Sequence, residues 1–97
     1  MKRLGFAPAA RADLLEIALY IAEDNPERAM SFVAELEAKA AVAAEHPASF
    51  PARDEISSGL RVVVHGRYLL FFRELIDEVR IVRVLHGARD LPQIFDS

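Results

Sequence analysis

The sequence contains no cysteine. That excludes disulfides, thiolate chemistry and cysteine-ligated zinc or iron–sulfur centres, and a reducing cytoplasm is the expected compartment. Long apolar runs are missing too. No stretch approaches the ~18 residues a membrane helix requires, and the opening Met1-Lys-Arg-Leu-Gly-Phe6 leads into no signal-peptide core. Lysine is nearly absent, with Lys2 and Lys39 against ten arginines. An excess of positive charge is absent as well: the net charge is −3, so the chain as a whole carries no electrostatic footprint for nucleic acid. Ninety-seven residues leave room for one domain, 1–97, and for no second one.

What charge there is lies unevenly. Residues 1–52 hold five bases against eight acids, whereas residues 53–90 hold seven arginines against six acids. Arginine suits bidentate contacts and interface ion pairs, so the second half is a weak pointer to a recognition surface. Codon bias gives the same excess without any function.

Apolar periodicity divides the chain. Arg3–Phe6 reads as a short first strand ended by Pro8. Ala10, Leu14, Ile17, Ala18 and Ile21 then recur at helical spacing, with Pro8 suited to the first helical position. Asn25-Pro26 is an N-cap and a first-position proline, followed by Glu27, which the helix dipole favours. A second stripe, Ala29, Phe32, Val33, Leu36, Ala40 and Ala43, continues to about His46. Two helices joined by so short a link must form an antiparallel hairpin. Residues 46–59 are a loop by composition, with Phe50 and Ile56 as its anchors on the core. Leu60–His65, Tyr68–Glu74 and Val79–His86 read as strands, the first two joined by a two-residue turn at Gly66-Arg67. The fold class expected is α+β: a short strand and a helical hairpin packed on a small antiparallel sheet.

Two apolar features exceed what that fold needs. The middle strand, Tyr68-Leu-Leu-Phe-Phe72, is apolar on both faces, although one face of such a sheet normally meets water. Either the sheet curls and the tail from Leu91 to Phe95 covers it, or a partner chain does; the partner is the inference favoured. Leu15 and Leu19 form a second i, i+4 pair beside the main stripe of the first helix. Packing against the second helix is the simpler expectation, and a docking site for a partner helix is the alternative.

Enzyme chemistry has little to work with. His46, His65 and His86 show no metal-binding spacing, no Ser lies in a GxSxG elbow, and no glycine-rich phosphate loop is present, so no metal and no cofactor are expected. One constellation remains: Arg61, Arg67, Arg83 and His86 on or beside the strands, with Asp54 and Glu55 in the preceding loop. Cleavage of RNA through its 2′-hydroxyl needs a base, an acid and cations for the phosphorane, roles a histidine, arginines and a carboxylate could fill. Pairing of those arginines with Glu74, Glu78 and Asp90 is the plainer reading. Strict alternation also puts Arg83 and His86 on opposite faces, so that only a bulge would bring them to one site.

Three segments carry a resemblance: Phe6–Ala22, Ser58–Arg73 with its Gly59-Leu60-Arg61 entry and Gly66-Arg67 turn, and Val82–Leu91 with Leu85-His-Gly-Ala-Arg-Asp90. Together they resemble ParE-type toxins of the ParE/RelE superfamily of type II toxin–antitoxin systems, over nearly the whole chain. The resemblance implies the hairpin-on-sheet fold and a small ParD-like antitoxin whose helical C-terminal segment wraps the toxin. The ParE branch poisons DNA gyrase, whereas the RelE branch cleaves messenger RNA on the ribosome with a strongly basic surface. The acidic balance here favours the ParE branch, a non-enzymatic inhibitor. On that reading Leu15, Leu19, Tyr68, Leu70, Phe72, Arg83, Leu91 and Phe95 are the expected partner-facing residues, and Arg61, Arg67 and His86 are the catalytic set of the nuclease alternative.

Overall fold

The computed structural model describes residues 2–87 and Phe95. Its elements are β1 (Arg3–Phe6), α1 (Pro8–Ala22), α2 (Pro26–Glu45), a 3-10 turn (Pro47–Ser49), β2 (Leu60–His65), β3 (Tyr68–Glu74) and β4 (Glu78–His86). Two helices pack on one face of a four-stranded sheet of order β1-β4-β3-β2, so the α+β fold is as expected. β2, β3 and β4 form the antiparallel meander. β1 lies parallel to β4, with Arg3 opposite Glu78 and Phe6 opposite Ile81, which makes the sheet mixed.

The helix boundaries follow local chemistry. Asn25 Oδ1 accepts the Arg28 N–H at 3.0 Å, satisfying one of the orphan donors of α2, and Pro26 occupies the first turn where its missing N–H costs nothing. α1 starts at Pro8 after an extended Ala7. Residues Arg11, Leu15 and Glu37 meet near one end of the hairpin and Leu19 and Met30 near the other, so the helices run antiparallel. The β2–β3 turn has Gly66 at φ +60° and Arg67 at negative φ, the backbone pattern of a type II′ turn.

Apolar side chains fill both sides of the sheet. On the helix side Leu14, Ile17, Leu36, Ala40, Leu70, Phe72 and Ile81 form the main core. On the far side Leu60, Val62, Phe71 and Leu85 are all but inaccessible, covered by Ile56 of the loop and by Phe95, whose ring stands edge-on to Phe71 at 5.0 Å. Phe50 anchors the same loop on the opposite face, its ring 6.0 Å from that of Phe72. The two-sided apolar strand is thus closed by this chain itself. Leu70 and Phe72 are fully buried and present no surface to a partner, which overturns their assignment as partner-facing residues.

A bulge breaks β4. Phe71 pairs with Arg83 and Phe72 with Ile81, leaving Val82 without a partner on β3. Ile81 and Val84 therefore both join the helix-side core, while Val82 and Leu85 both join the far cluster. Such a bulge re-aims the side chains that follow it.

Candidate partner-binding surfaces

Asp13 is a carboxylate in the apolar stripe of α1, only 5% exposed. β1 ends at Phe6, so the edge of β4 beyond Ile81 has no strand beside it. Asp13 Oδ2 takes the place of one, accepting the Val84 N–H at 2.9 Å and Arg83 Nε–H at 2.8 Å, while Oδ1 accepts from Arg83 Nη2 at 2.9 Å. The Asp13 carboxylate raises the pKa of the Arg83 guanidinium further above its ordinary value. Arg83 is therefore engaged within the chain and locks α1 onto β4, which removes it from the expected partner-facing set. Alternation sends Arg83 away from His86 and the register agrees, with Arg83 opposite Phe71 of the far side and His86 opposite Tyr68 of the helix side. The Arg83 guanidinium reaches Asp13 at the open edge of β4, while the His86 ring stands edge-on to Tyr68 at 5.4 Å.

The nuclease set is only partly assembled. Arg67, Tyr68 and His86 line one groove of about 620 Å3, with Tyr20 and Ile21 of α1 and Arg28 and Phe32 of α2. Arg61 is elsewhere. It sits opposite Phe72, and its Nη1 donates to the Phe50 carbonyl at 2.6 Å. Four strand positions, about 13 Å at ~3.3 Å per residue, separate it from His65, where the turn that carries Arg67 begins. Asp54 and Glu55 are engaged in the loop, Asp54 Oδ1 accepting the Gly59 N–H at 2.8 Å and Glu55 paired with Arg53. Among the described residues no three His, Cys, Asp or Glu side chains cluster to hold a metal ion.

A second cluster went unread in the sequence. Glu35 on α2 accepts from Arg28 and meets His65 Nε2 at 2.8 Å. Arg28, and then His65, hold the Glu35 carboxyl below its ordinary range. Only the i, i+7 spacing of Arg28 and Glu35 hinted at it. A folded-state pKa depressed in this way adds stability above the unfolded value of about 4.3, and that stability is lost as pH falls through the folded value. Between pH 5 and pH 3 the melting temperature of the wild-type chain should fall more steeply than that of Glu35→Gln, as thermal melts followed by circular dichroism would show. Parallel slopes would remove Glu35 from the acid limb.

The strongest surface feature lies on the outer face of the helical hairpin. Leu15, Leu19 and Met30 are 61%, 60% and 78% exposed. Leu19 and Met30 border a hollow of about 490 Å3 floored by Ala18, Ala22 and Ala29, which runs past Val33 into a smaller one of about 270 Å3, bordered by Leu15 and ending at Arg11 and Glu37. Alanines at the floor let a third backbone come close, and large apolar side chains at the rim supply the contact. Leu15 and Leu19 therefore do not pack under α2; they stand at the edge of this groove. Of the other expected partner-facing residues, Tyr68 is half-buried beneath Phe32, Phe95 covers Phe71, and Leu91 lies outside the described residues.

The architecture is a helical hairpin on one face of a mixed four-stranded sheet, and comparison with known proteins shows the class to which it belongs. The family model described as the ParE toxin of the type II toxin–antitoxin system parDE matches residues 4–91. Toxin ParE1 of Caulobacter vibrioides is 32% identical over 89 residues, covering 91% of this chain and 92% of its own length. A chain of a chromosomal ParDE toxin–antitoxin system from P. aeruginosa superposes with a TM-score of 0.75 at 22% identity, over 89% of this chain and 96% of its own. The chain belongs to the ParE toxin family.

Proposed function

We propose that this ParE-type toxin is held inactive by a ParD-like antitoxin whose amphipathic helix lies in the outer groove of the α1–α2 hairpin. The observation that carries the reading is the groove itself: contiguous exposed apolar side chains over a small-residue floor are the complement of a helix presenting i, i+3, i+4 and i+7 anchors. We further propose that the free chain acts in the cytoplasm by inhibiting DNA gyrase, as a binding inhibitor without a catalytic step. Family membership supports the gyrase target. The separation of Arg61 from Arg67 and His86 speaks against the messenger-RNA nuclease, as does the net charge of −3, which offers ribosomal RNA little attraction. No helix among the described residues is long and apolar enough to cross a membrane.

Inducing the chain alone in a bacterial host, while following DNA and protein synthesis separately, tests the target. DNA synthesis should fall with onset of the DNA-damage response while protein synthesis persists. Arg61→Ala and His86→Ala should leave growth inhibition largely intact. An immediate stop in protein synthesis with cleaved messages, abolished by His86→Ala, would instead establish the nuclease, for which the shared groove of Arg67 and His86 is the favourable observation.

A further inference from the structure

Nine arginines fall among the described residues, and eight of them are engaged, in ion pairs, in hydrogen bonds to carbonyl or hydroxyl groups, or over an aromatic ring. Arg67 is the exception: among the described residues it has no such partner. It is also held in place. Gly66 supplies the positive φ of the type II′ turn, and the Arg67 carbonyl accepts the Gly87 N–H at 2.8 Å, so this guanidinium leaves a pinned backbone at the rim of the 620 Å3 groove. The groove walls are aromatic, with Tyr20 exposed at one side and Phe32 and Tyr68 ring-to-ring at 5.5 Å on the other. Arg28 stands behind Phe32, already neutralised by Glu35.

We infer that this groove is a second binding site, which takes a short acidic peptide segment of a protein partner other than the antitoxin helix. A positioned guanidinium with unused donors matches one carboxylate in bidentate fashion, and the ring walls match an apolar residue beside it. A polynucleotide is the poorer fit. Tracking a phosphate backbone takes several cations, and this groove offers one unengaged arginine on a chain of net charge −3. The groove faces the β2–β3 turn, whereas the hairpin groove faces outward from the helices, so a helix occupying the latter leaves Arg67 open. The ligand class rests on Arg67 and its walls alone; only the separateness of the two partners rests on the antitoxin reading.

The test is a titration of the 15N-labelled full chain followed by NMR at the Arg67 Nε–H and the Tyr68 and His86 amides. The probes are the capped peptide acetyl-Glu-Phe-Glu-amide, its Gln-Phe-Gln counterpart and tetrathymidylate. The acidic peptide should shift these three signals, and Arg67→Gln, which leaves the Gly66 turn in place, should weaken it about tenfold or more, the loss of one charge-assisted pair. The glutamine probe should weaken equally. Saturating the chain with a ParD-like antitoxin should leave the peptide midpoint unchanged. Absence of shifts, or the same midpoint with Arg67→Gln, overturns the site. Tighter binding of tetrathymidylate overturns the ligand class, and displacement by the antitoxin overturns the second partner. Failure of the antitoxin to bind would sink the hairpin-groove reading while the peptide titration still decided this one.

Discussion

Replacing Asp13 with alanine should lower the stability of the chain by about 3 kcal/mol or more, the range for breaking a buried ion pair from one side. The carboxylate accepts three hydrogen bonds, two from Arg83 and one from the Val84 N–H. Its removal leaves a half-buried guanidinium without its anion and a buried strand-edge N–H without an acceptor, and each is costly in its own right. For a domain of this length ~1 kcal/mol corresponds to roughly 4–8 °C, so the midpoint of a thermal melt should drop by more than about 10 °C. The double variant Asp13→Ala, Arg83→Met should recover part of the loss, because the stranded charge is then gone while the side-chain stem still packs. A melt of Asp13→Ala within about 2 °C of wild type would show that the lock between α1 and β4 is dispensable.

Replacing Leu19 with aspartate should weaken binding of a ParD-like antitoxin by at least about 100-fold, with folding unchanged. Burying a leucine side chain is worth about 1.5–3 kcal/mol. Placing a charge against an apolar partner surface adds a desolvation cost, and about 2.7 kcal/mol in total already reaches 100-fold. Leu19 is 60% exposed in the free chain, so the substitution takes little from the core. Val64→Asp is the matched control: Val64 is 58% exposed on the β2 strand, away from the hairpin groove, and should leave the affinity as it was. Calorimetric titration separates the two. Equal affinity for Leu19→Asp and wild type would place the antitoxin elsewhere on the molecule.

What the sequence discloses, and what it hides, divides along the reach of the interactions. The hairpin was legible because Asn25-Pro26 and the 3.6-residue stripes act within a few residues of themselves. The same holds for the β2–β3 turn, where Gly66 alone specifies the geometry. Asp13 was invisible as a structural group, since its partners lie 70 and 71 residues away; the only signal was a carboxylate set between Ala10 and Ile17 in a buried stripe. The parallel pairing of β1 with β4 joins the two ends of the chain, and nothing within Arg3–Phe6 selects that neighbour. The bulge at Val82 was hidden as well: one unpaired residue puts Ile81 and Val84, three apart, on the same face, and no local pattern in Glu78–His86 announces it. The partner inferred from Tyr68–Phe72 failed for a related reason. Hydrophobic excess reports that a face must be covered, while the cover, Ile56 and Phe95, comes from residues outside the strand that no local pattern assigns to it. Leu15 and Leu19 reversed the error, since a pattern that fits burial under a neighbouring helix fits an open groove equally well.

The most direct measurement of the central claim is supercoiling by purified DNA gyrase in the presence of the purified chain. Inhibition should rise with toxin concentration, disappear on adding equimolar ParD-like antitoxin, and persist when the antitoxin meets the Leu19→Asp variant, which inhibits but is not neutralised. Gyrase running at full rate at every toxin concentration would contradict the account of the target, and neutralisation of Leu19→Asp as complete as that of wild type would contradict the account of the groove.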